Sequence, residues 1–224
     1  DYAYNAAGQL IQHVDVNEII TTFERDAVGQ LLTKASRWAS DTADNPRERS
    51  RYVYDAVGQL TGTYNAQQYL QFSYDPRGQL TQESHIAIND HGQALTDTQH
   101  ITAHQYNALG QRIQTTLPDG QTLDYAYDAS LAFESVAVNV QTITTVQRDS
   151  LGRELSRNQG ALTTQTDYDP QGRLQKQVAI NKDTKHVLVQ REYGYDQSNN
   201  LNHIKDGNDE TKYVYDTLNR LKLA

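Results

Sequence analysis

Apolar and polar positions alternate along most of this chain, and the same bend interrupts the alternation at regular intervals. In Arg51-Tyr52-Val53-Tyr54-Asp55 the period is two, with Tyr52 and Tyr54 on one face, which predicts a β-strand. Asp55-Ala56-Val57-Gly58 then predicts a type I turn. The Asp carboxylate can accept backbone N–H groups two residues on, and Gly at the fourth position takes up positive φ and closes a hairpin with a G1 bulge. Gln59 to Tyr64 is the return strand, with Leu60 packed back on the sheet.

This phrase, aromatic-x-Tyr-Asp-x-x-Gly-Gln/Arg-Leu, recurs ten times. Its Tyr position falls at Tyr4, Arg25, Tyr54, Tyr74, Tyr106, Tyr127, Arg148, Tyr168, Tyr195 and Tyr215, at intervals of 21, 29, 20, 32, 21, 21, 20, 27 and 20 residues. A period near 20 predicts stacked units that bury their apolar faces against their neighbours. The Asp position holds Asn5, Asp26, Asp55, Asp75, Asn107, Asp128, Asp149, Asp169, Asp196 and Asp216. The Gly position holds Gly8, Gly29, Gly58, Gly78, Gly110, Gly152 and Gly172, with Asn199 and Asn219 as the left-handed substitutes. Pro76 and Pro170 stand at the second turn position, where a fixed φ suits the turn. After Asp128 the chain runs Ala129-Ser130-Leu131-Ala132 with no Gly, which predicts a longer or irregular connection there.

Turn chemistry also marks the opposite end of each unit, at Asn65-Ala66, Asn89 to Gly92, Pro118-Asp119-Gly120, Asn158 to Gly160, Asn181 to Asp183 and Asp206 to Asn208. The longer intervals place insertions within 36–50, 86–103 and 180–190, as loops or extended hairpin tips, with 40–50 the most mobile. The fold class is therefore all-β: a long antiparallel up-and-down hairpin ribbon of about 20 strands, one repeat array over 1–224, about 95 Å wide at about 4.8 Å per strand. Twisted sheets rarely exceed about ten strands without curling. The ribbon is expected to coil so that its concave face lines a cavity, as an open, curved piece with exposed edges at both ends.

Composition narrows the partners. The chain has 28 Asp and Glu against 20 Lys and Arg, a net charge of -8 that argues against nucleic acid. It has no Cys, so no disulfide or thiolate site, and no Met, which reads as a piece of a longer protein. No apolar run reaches 18 residues, so no membrane insertion by this segment is expected. A mean hydropathy of -0.78 would suit disorder, but 15 tyrosines in period make a partly dry sheet face instead.

The candidate chemistry is thin. The row of turn carboxylates reads as capping rather than as a catalytic or metal-binding row, because the Asp-x-x-Gly spacing already accounts for it. His85, His91, His100 and His104 fall in an insertion and read as a solvated loop. Asp206 to Glu210 resembles a calcium loop in composition only and reads as a turn. No nucleophile elbow or phosphate loop occurs. The expectation is no enzyme, no catalytic residue, no cofactor and no metal. The tyrosine stripe has two readings, cross-strand packing or stacking on sugar rings, with packing favoured. Tyr52, Tyr54, Tyr213, Tyr215 and Trp38 are the candidate ligand-facing aromatics, Trp38 also serving as an anchor for its loop.

Arg51 to Leu60, and Lys212-Tyr213-Val214-Tyr215-Asp216-Thr217-Leu218-Asn219-Arg220-Leu221, are close to the consensus of the YD repeat, so the chain resembles the Rhs/YD-repeat family over essentially its whole length. The resemblance implies a β-ribbon spiralling into a hollow shell. Bacterial Rhs polymorphic toxins and the B and C subunits of insecticidal Tc toxins enclose a toxic C-terminal segment in this way, and animal teneurins carry a similar barrel used in adhesion. It further implies a structural shell segment whose partners are the remainder of its own shell and an enclosed toxin segment, in a secreted or delivered extracellular toxin complex. The alternative is a module binding glycans or a cell-surface protein. The stretch Pro-x-x-x-x-Asp-Pro-x-Gly-Leu that carries self-cleavage in complete Rhs proteins is absent, so cleavage is carried over to no residue.

Overall fold

The structure, a computed structural model, describes residues 1–42, 46–89 and 91–223. These residues form 21 strands and no helix, so no helix is present that could cross a membrane. The chain divides into two compact units, Asp1–Gln121 and Thr122–Ala224, with five copies of the repeated bend in each.

In the first unit the strands are β1 (Tyr2–Tyr4), β2 (Leu10–Val14), β3 (Ile19–Arg25), β4 (Leu31–Trp38), β5 (Glu48–Tyr54), β6 (Leu60–Tyr64), β7 (Gln68–Tyr74), β8 (Leu80–Ile88), β9 (Ala94–Tyr106) and β10 (Arg112–Thr116). Each pairs antiparallel with the next in sequence. The second unit has β11 (Thr122–Tyr127), β12 (Phe133–Val138), β13 (Gln141–Arg148), β14 (Glu154–Gln159), β15 (Leu162–Tyr168), β16 (Leu174–Asn181), β17 (Val187–Tyr195), β18 (Leu201–Asp206), β19 (Asp209–Lys212), β20 (Val214–Tyr215) and β21 (Leu221–Leu223). Here β11 to β19 form one meander and β20 with β21 a separate hairpin.

One irregularity recurs in every hairpin closed by the repeated bend. In β5–β6, Arg51 faces Tyr64 and Val53 faces Gly62, but Tyr54 faces Leu60, a register shift of one residue. The same shift precedes Tyr74, Tyr168 and Tyr195. This is the bulge that a glycine in the left-handed region imposes where a type I turn joins two strands.

The connection after Asp128 departs from the expectation. It is neither longer nor irregular. The Leu131 N–H donates to the Asp128 carbonyl at 2.9 Å and the Asp128 N–H to the Ala132 carbonyl at 2.9 Å, with Leu131 at φ 66°. The hydrogen bonds of the turn hold a non-glycine residue in the left-handed region, at a steric cost of about 1 kcal/mol.

The insertions differ in kind. That within 86–103 lengthens a hairpin: β8 and β9 run on past the pairing of His85 with His100 to a tip at Asn89 and Gln93. That within 36–50 is the β4–β5 connection, and the expected mobility of 40–50 falls partly on 43–45, outside the described residues. That within 180–190 is a turn closed by Asn181 N–H on the His186 carbonyl at 2.9 Å.

Burial is shallow throughout. Among the described residues the buried hydrophobics are Ile86, Val146 and Ala179, and no side chain is fully buried. Along β5, Tyr52 and Tyr54 are half-buried while Val53 between them is exposed; along β15, Thr166 and Tyr168 are covered and Asp167 is not. One face of each strand is therefore the drier one, and neighbouring strands supply the cover.

Candidate functional site: the bonds between hairpins

The acidic turn residues are engaged within their own turns. Asp55 Oδ1 accepts the N–H of Val57 at 3.0 Å and of Gln59 at 2.9 Å, and the Asp55 carbonyl accepts the Gly58 N–H at 3.1 Å, with Gly58 at φ 89°. The pattern recurs with Asp26 and Gly29, Asp75 and Gly78, Asn107 and Gly110, Asp149 and Gly152, Asp169 and Gly172, and Asp216 with Asn219. The backbone N–H of Gln59 leads in holding the Asp55 carboxyl below the ordinary carboxylate range. At Asp149 and Asp169 desolvation pushes the other way, but the bonds from Arg153 and Arg173 outweigh it and both carboxyls are also lowered. Groups so held stay ionised near neutral pH, and the bound backbone occupies the lone pairs that a metal or a substrate proton would use.

Two further sets of bonds join one hairpin to another. In the first, the Tyr hydroxyl of a copy donates to the carbonyl at the Leu position of the copy before it: Tyr54 to Leu31 at 3.0 Å, Tyr74 to Leu60 at 2.8 Å, Tyr106 to Leu80 at 2.8 Å, Tyr168 to Glu154 at 3.1 Å and Tyr195 to Leu174 at 2.8 Å. Arg148, which stands at a Tyr position, donates from its guanidinium to the Phe133 carbonyl, the same acceptor position. A side chain long enough to carry a donor across one strand is what the position requires, and the phenol meets that need with little rotamer entropy to lose.

In the second set the Gln/Arg residue after the glycine reaches the next turn. Gln30 Nε2 donates to the Gly58 carbonyl at 3.2 Å, Gln79 Nε2 to the Gly110 carbonyl at 2.9 Å, and Arg173 Nη1 to Asn199 Oδ1 at 2.6 Å. Arg173 also donates from Nε to its own Asp169 at 2.7 Å and lies over the Tyr195 ring at 4.4 Å; Arg153 does the same with Asp149 and Tyr168, at 2.7 and 4.7 Å. One arginine thus ties its own turn, the next hairpin's ring and, at Arg173, the next turn. The approach adds a second reason for glycine in the turn: a Cβ on Gly58 would lie 3.0 Å from Gln30 Nε2.

The candidate ligand-facing aromatics are placed as follows. Tyr54 is bonded to Leu31; Tyr52, Tyr213 and Tyr215 are half-buried. Of the 15 tyrosines, Tyr2 and Tyr4 alone are exposed. Trp38 ends β4, its N–H on Asp41 Oδ2 at 3.1 Å and Arg47 5.3 Å above its ring, beside an open cavity of about 390 Å³ lined also by Ile19 and Glu48.

Of the four histidines expected in a loop, His91 lies in the exposed turn at the β8–β9 tip, but the other three are in strands. His85 is in β8, and His100 and His104 are in β9, where a separation of four residues spans about 13 Å, too far to share a metal ion. His104 is buried against Thr115 Oγ1 at 3.1 Å, and desolvation lowers its pKa. No group of three or more metal-ligating side chains occurs among the described residues.

Residues 54–85 match the RHS Repeat family. That stretch holds the Tyr54–Gly58 and Tyr74–Gly78 bends and the Tyr74–Leu60 bond, and the same bends recur along both units. The chain carries an RHS repeat there, and along both units it is similar to the Rhs/YD-repeat family. This Rhs-repeat chain is 27% identical to double-stranded DNA deaminase toxin A of Burkholderia cenocepacia, in an alignment that covers 98% of it and 16% of the toxin. Its fold is that of a part of the TcdB2-TccC3 assembly: a TM-score of 0.76 at 19% identity against the crystal structure with Cdc42, over 98% of this chain and 12% of that one. The Photorhabdus luminescens Tc holotoxin pore gives 0.75 at 18%, with the same coverage. The chain therefore spans less than a sixth of each of these proteins.

Proposed function

We propose that the chain is a wall segment of a bacterial Rhs-type toxin, in which the repeat array coils into a hollow shell around a toxic segment of the same complex. The observation that carries this reading is the pair of bond sets between hairpins. Hairpins are fastened to one another by five phenols on backbone carbonyls and by Gln30, Gln79 and Arg173 on the next turn, while no described side chain is fully buried. Such a ribbon extends by adding hairpins and needs no second layer to hold it. That is the construction a wall requires.

Enclosure would act sterically. Strands about 4.8 Å apart and hydrogen-bonded along their length leave no gap that admits a polypeptide or a protease loop. The segment would keep its cargo from the producing cell until delivery outside it, in company with the rest of its own shell. We assign no reaction to this segment; the deaminase named in the Burkholderia relative belongs to that protein, most of which lies beyond the matched part. Recognition of a carbohydrate would call for a row of exposed rings, and thirteen of the 15 tyrosines are half-buried.

Limited proteolysis of the complete protein tests the reading. With the array intact, the toxic segment should survive protease concentrations that degrade it when produced alone or when β5 to β8 are deleted. Equal cleavage rates with and without the intact array would sink it.

A further inference from the structure

Two imidazoles face each other on the open side of the β7–β9 stretch. His85 of β8 is directly opposed to His100 of β9, and Leu70 and Phe72 of β7, Glu83 and Thr102 share their face. Residues so opposed in an antiparallel pair carry Cβ atoms about 4.5–5.5 Å apart. The ring centroids are 6.4 Å apart, with 33° between the ring planes. Both rings are exposed, over an open cavity of about 290 Å³ that Glu83 also lines. Packing does not ask for histidine at either position, since the buried neighbours Ser84 and Ile86 alternate to the other face of β8.

The spacing suits one shared ion. An imidazole nitrogen binds a late transition metal at about 2.0–2.1 Å, which sets the ring centroid about 3.2 Å from the ion, so two rings sharing it lie about 5–6.5 Å apart. The nitrogens are prepared for it. Gln68 Oε1 lies 2.8 Å from His85 Nε2. An amide oxygen only accepts, so Nε2 carries the proton and Nδ1 keeps its lone pair. The His100 ring makes no hydrogen bond among the described residues. Glu83 brings negative charge to the opening, and none of its described lining residues is basic apart from the two imidazoles. We propose that His85 and His100 bind one divalent late transition metal ion, through Nδ1 of His85 and one nitrogen of His100, with water in the remaining positions. Imidazole selects Zn²⁺, Ni²⁺ and Cu²⁺ over Mg²⁺ and Ca²⁺, which take oxygen ligands. The pair also stands where a link between strands has an effect. The next opposed pair is Ala87 with Leu95, so Ile86 alone on β8 faces 96–99 on β9. An ion held by both strands pins the mouth of that irregularity. The site is independent of the shell reading, since it needs nothing beyond this one hairpin and Gln68.

Calorimetric titration of Zn²⁺ into the 224-residue chain tests the site, with NMR of the imidazole protons reporting which rings respond. One ion per chain should bind, the His85 and His100 resonances should shift together, and hydrogen exchange across β8 and β9 should slow. His85→Gln and His100→Gln, both at exposed positions, should each weaken binding by roughly tenfold or more, and Gln68→Ala, which frees Nε2, by about tenfold. His91→Gln, in the exposed turn six residues beyond His85, should bind as the wild type does. Absence of saturable binding below millimolar Zn²⁺ overturns the proposal. So does binding that survives both of the His85 and His100 variants, or that is lost in His91→Gln. Displacement of the ion by excess Mg²⁺ would assign it to carboxylates and overturn the imidazole pair, and two chains per ion in sedimentation would make the contact one between copies and overturn the bridge within the hairpin.

Discussion

The hydroxyl of Tyr74 donates to the carbonyl of Leu60 at 2.8 Å, from one hairpin to the hairpin before it. Tyr74 at the same time opposes Leu80 within its own hairpin. A single side chain therefore closes one unit and joins it to another, and the repeat propagates through it. Tyr74→Phe keeps the ring and removes the donor, leaving the Leu60 carbonyl without it. The expected cost is about 1 kcal/mol, read by urea unfolding, with faster hydrogen exchange confined to β6 and β7. Tyr4→Phe, at an exposed ring, should change neither.

Arg148 stands in for a tyrosine, so replacement by the consensus residue should be tolerated. Arg148→Tyr is expected to unfold within about 0.5 kcal/mol of wild type. Arg148→Leu should lose about 1.5–3 kcal/mol, because the lost bond has a charged donor. Asp128 Oδ2, 3.9 Å from the guanidinium, contributes the smaller part. If Arg148→Tyr proved as damaging as Arg148→Leu, the equivalence of the two side chains would be wrong.

The β12–β13 hairpin closes on Asn139 and Val140, with φ 47° and 65°. Both central residues of such a tight turn need positive φ, and a β-branched side chain is the poorest choice there. Val140 is 91% exposed, so it gains nothing from packing in return. Val140→Gly should stabilise the second unit by about 1 kcal/mol, seen as a rise in melting temperature.

Acid should loosen the turns. Backbone N–H bonds, led by that of Gln59, depress the Asp55 pKa, and those of Arg220 do the same at Asp216. A carboxyl whose folded pKa is depressed binds protons more readily in the unfolded chain. Its contribution to stability is then fully present above the unfolded value, about 4, and is lost as the pH falls through the lowered folded value. Stability measured from pH 5 downward should decline below about pH 4. Asp55→Asn, which reproduces the residue found at Asn107, should flatten that part of the profile.

Much of this was legible in the sequence because it is local. Asp55 and Gly58 are three residues apart, and a type I turn with a left-handed fourth residue follows from their side chains alone. That rule misjudged the turn at Asp128, since it took the missing glycine as the mark of a longer or irregular connection, when the hydrogen bonds of the turn suffice to hold Leu131. It also misplaced His104: the insertion was read as a solvated loop, and only the pairing with β10 shows the residue buried.

The chain by itself determined the period, the bends and the alternation, all set by backbone sterics and hydrogen bonds within a few residues. Only the tertiary structure decided why Gln or Arg follows the glycine and why a tyrosine precedes the acidic turn residue. Those side chains find their partners 14 to 31 residues away, as Tyr74 does on Leu60 and Gln79 on Gly110. Gly194 makes the same point: its φ is ordinary, yet the His203 imidazole lies where its Cβ would be. Contacts of this kind depend on which strands become neighbours, and a sequence spacing does not carry that information.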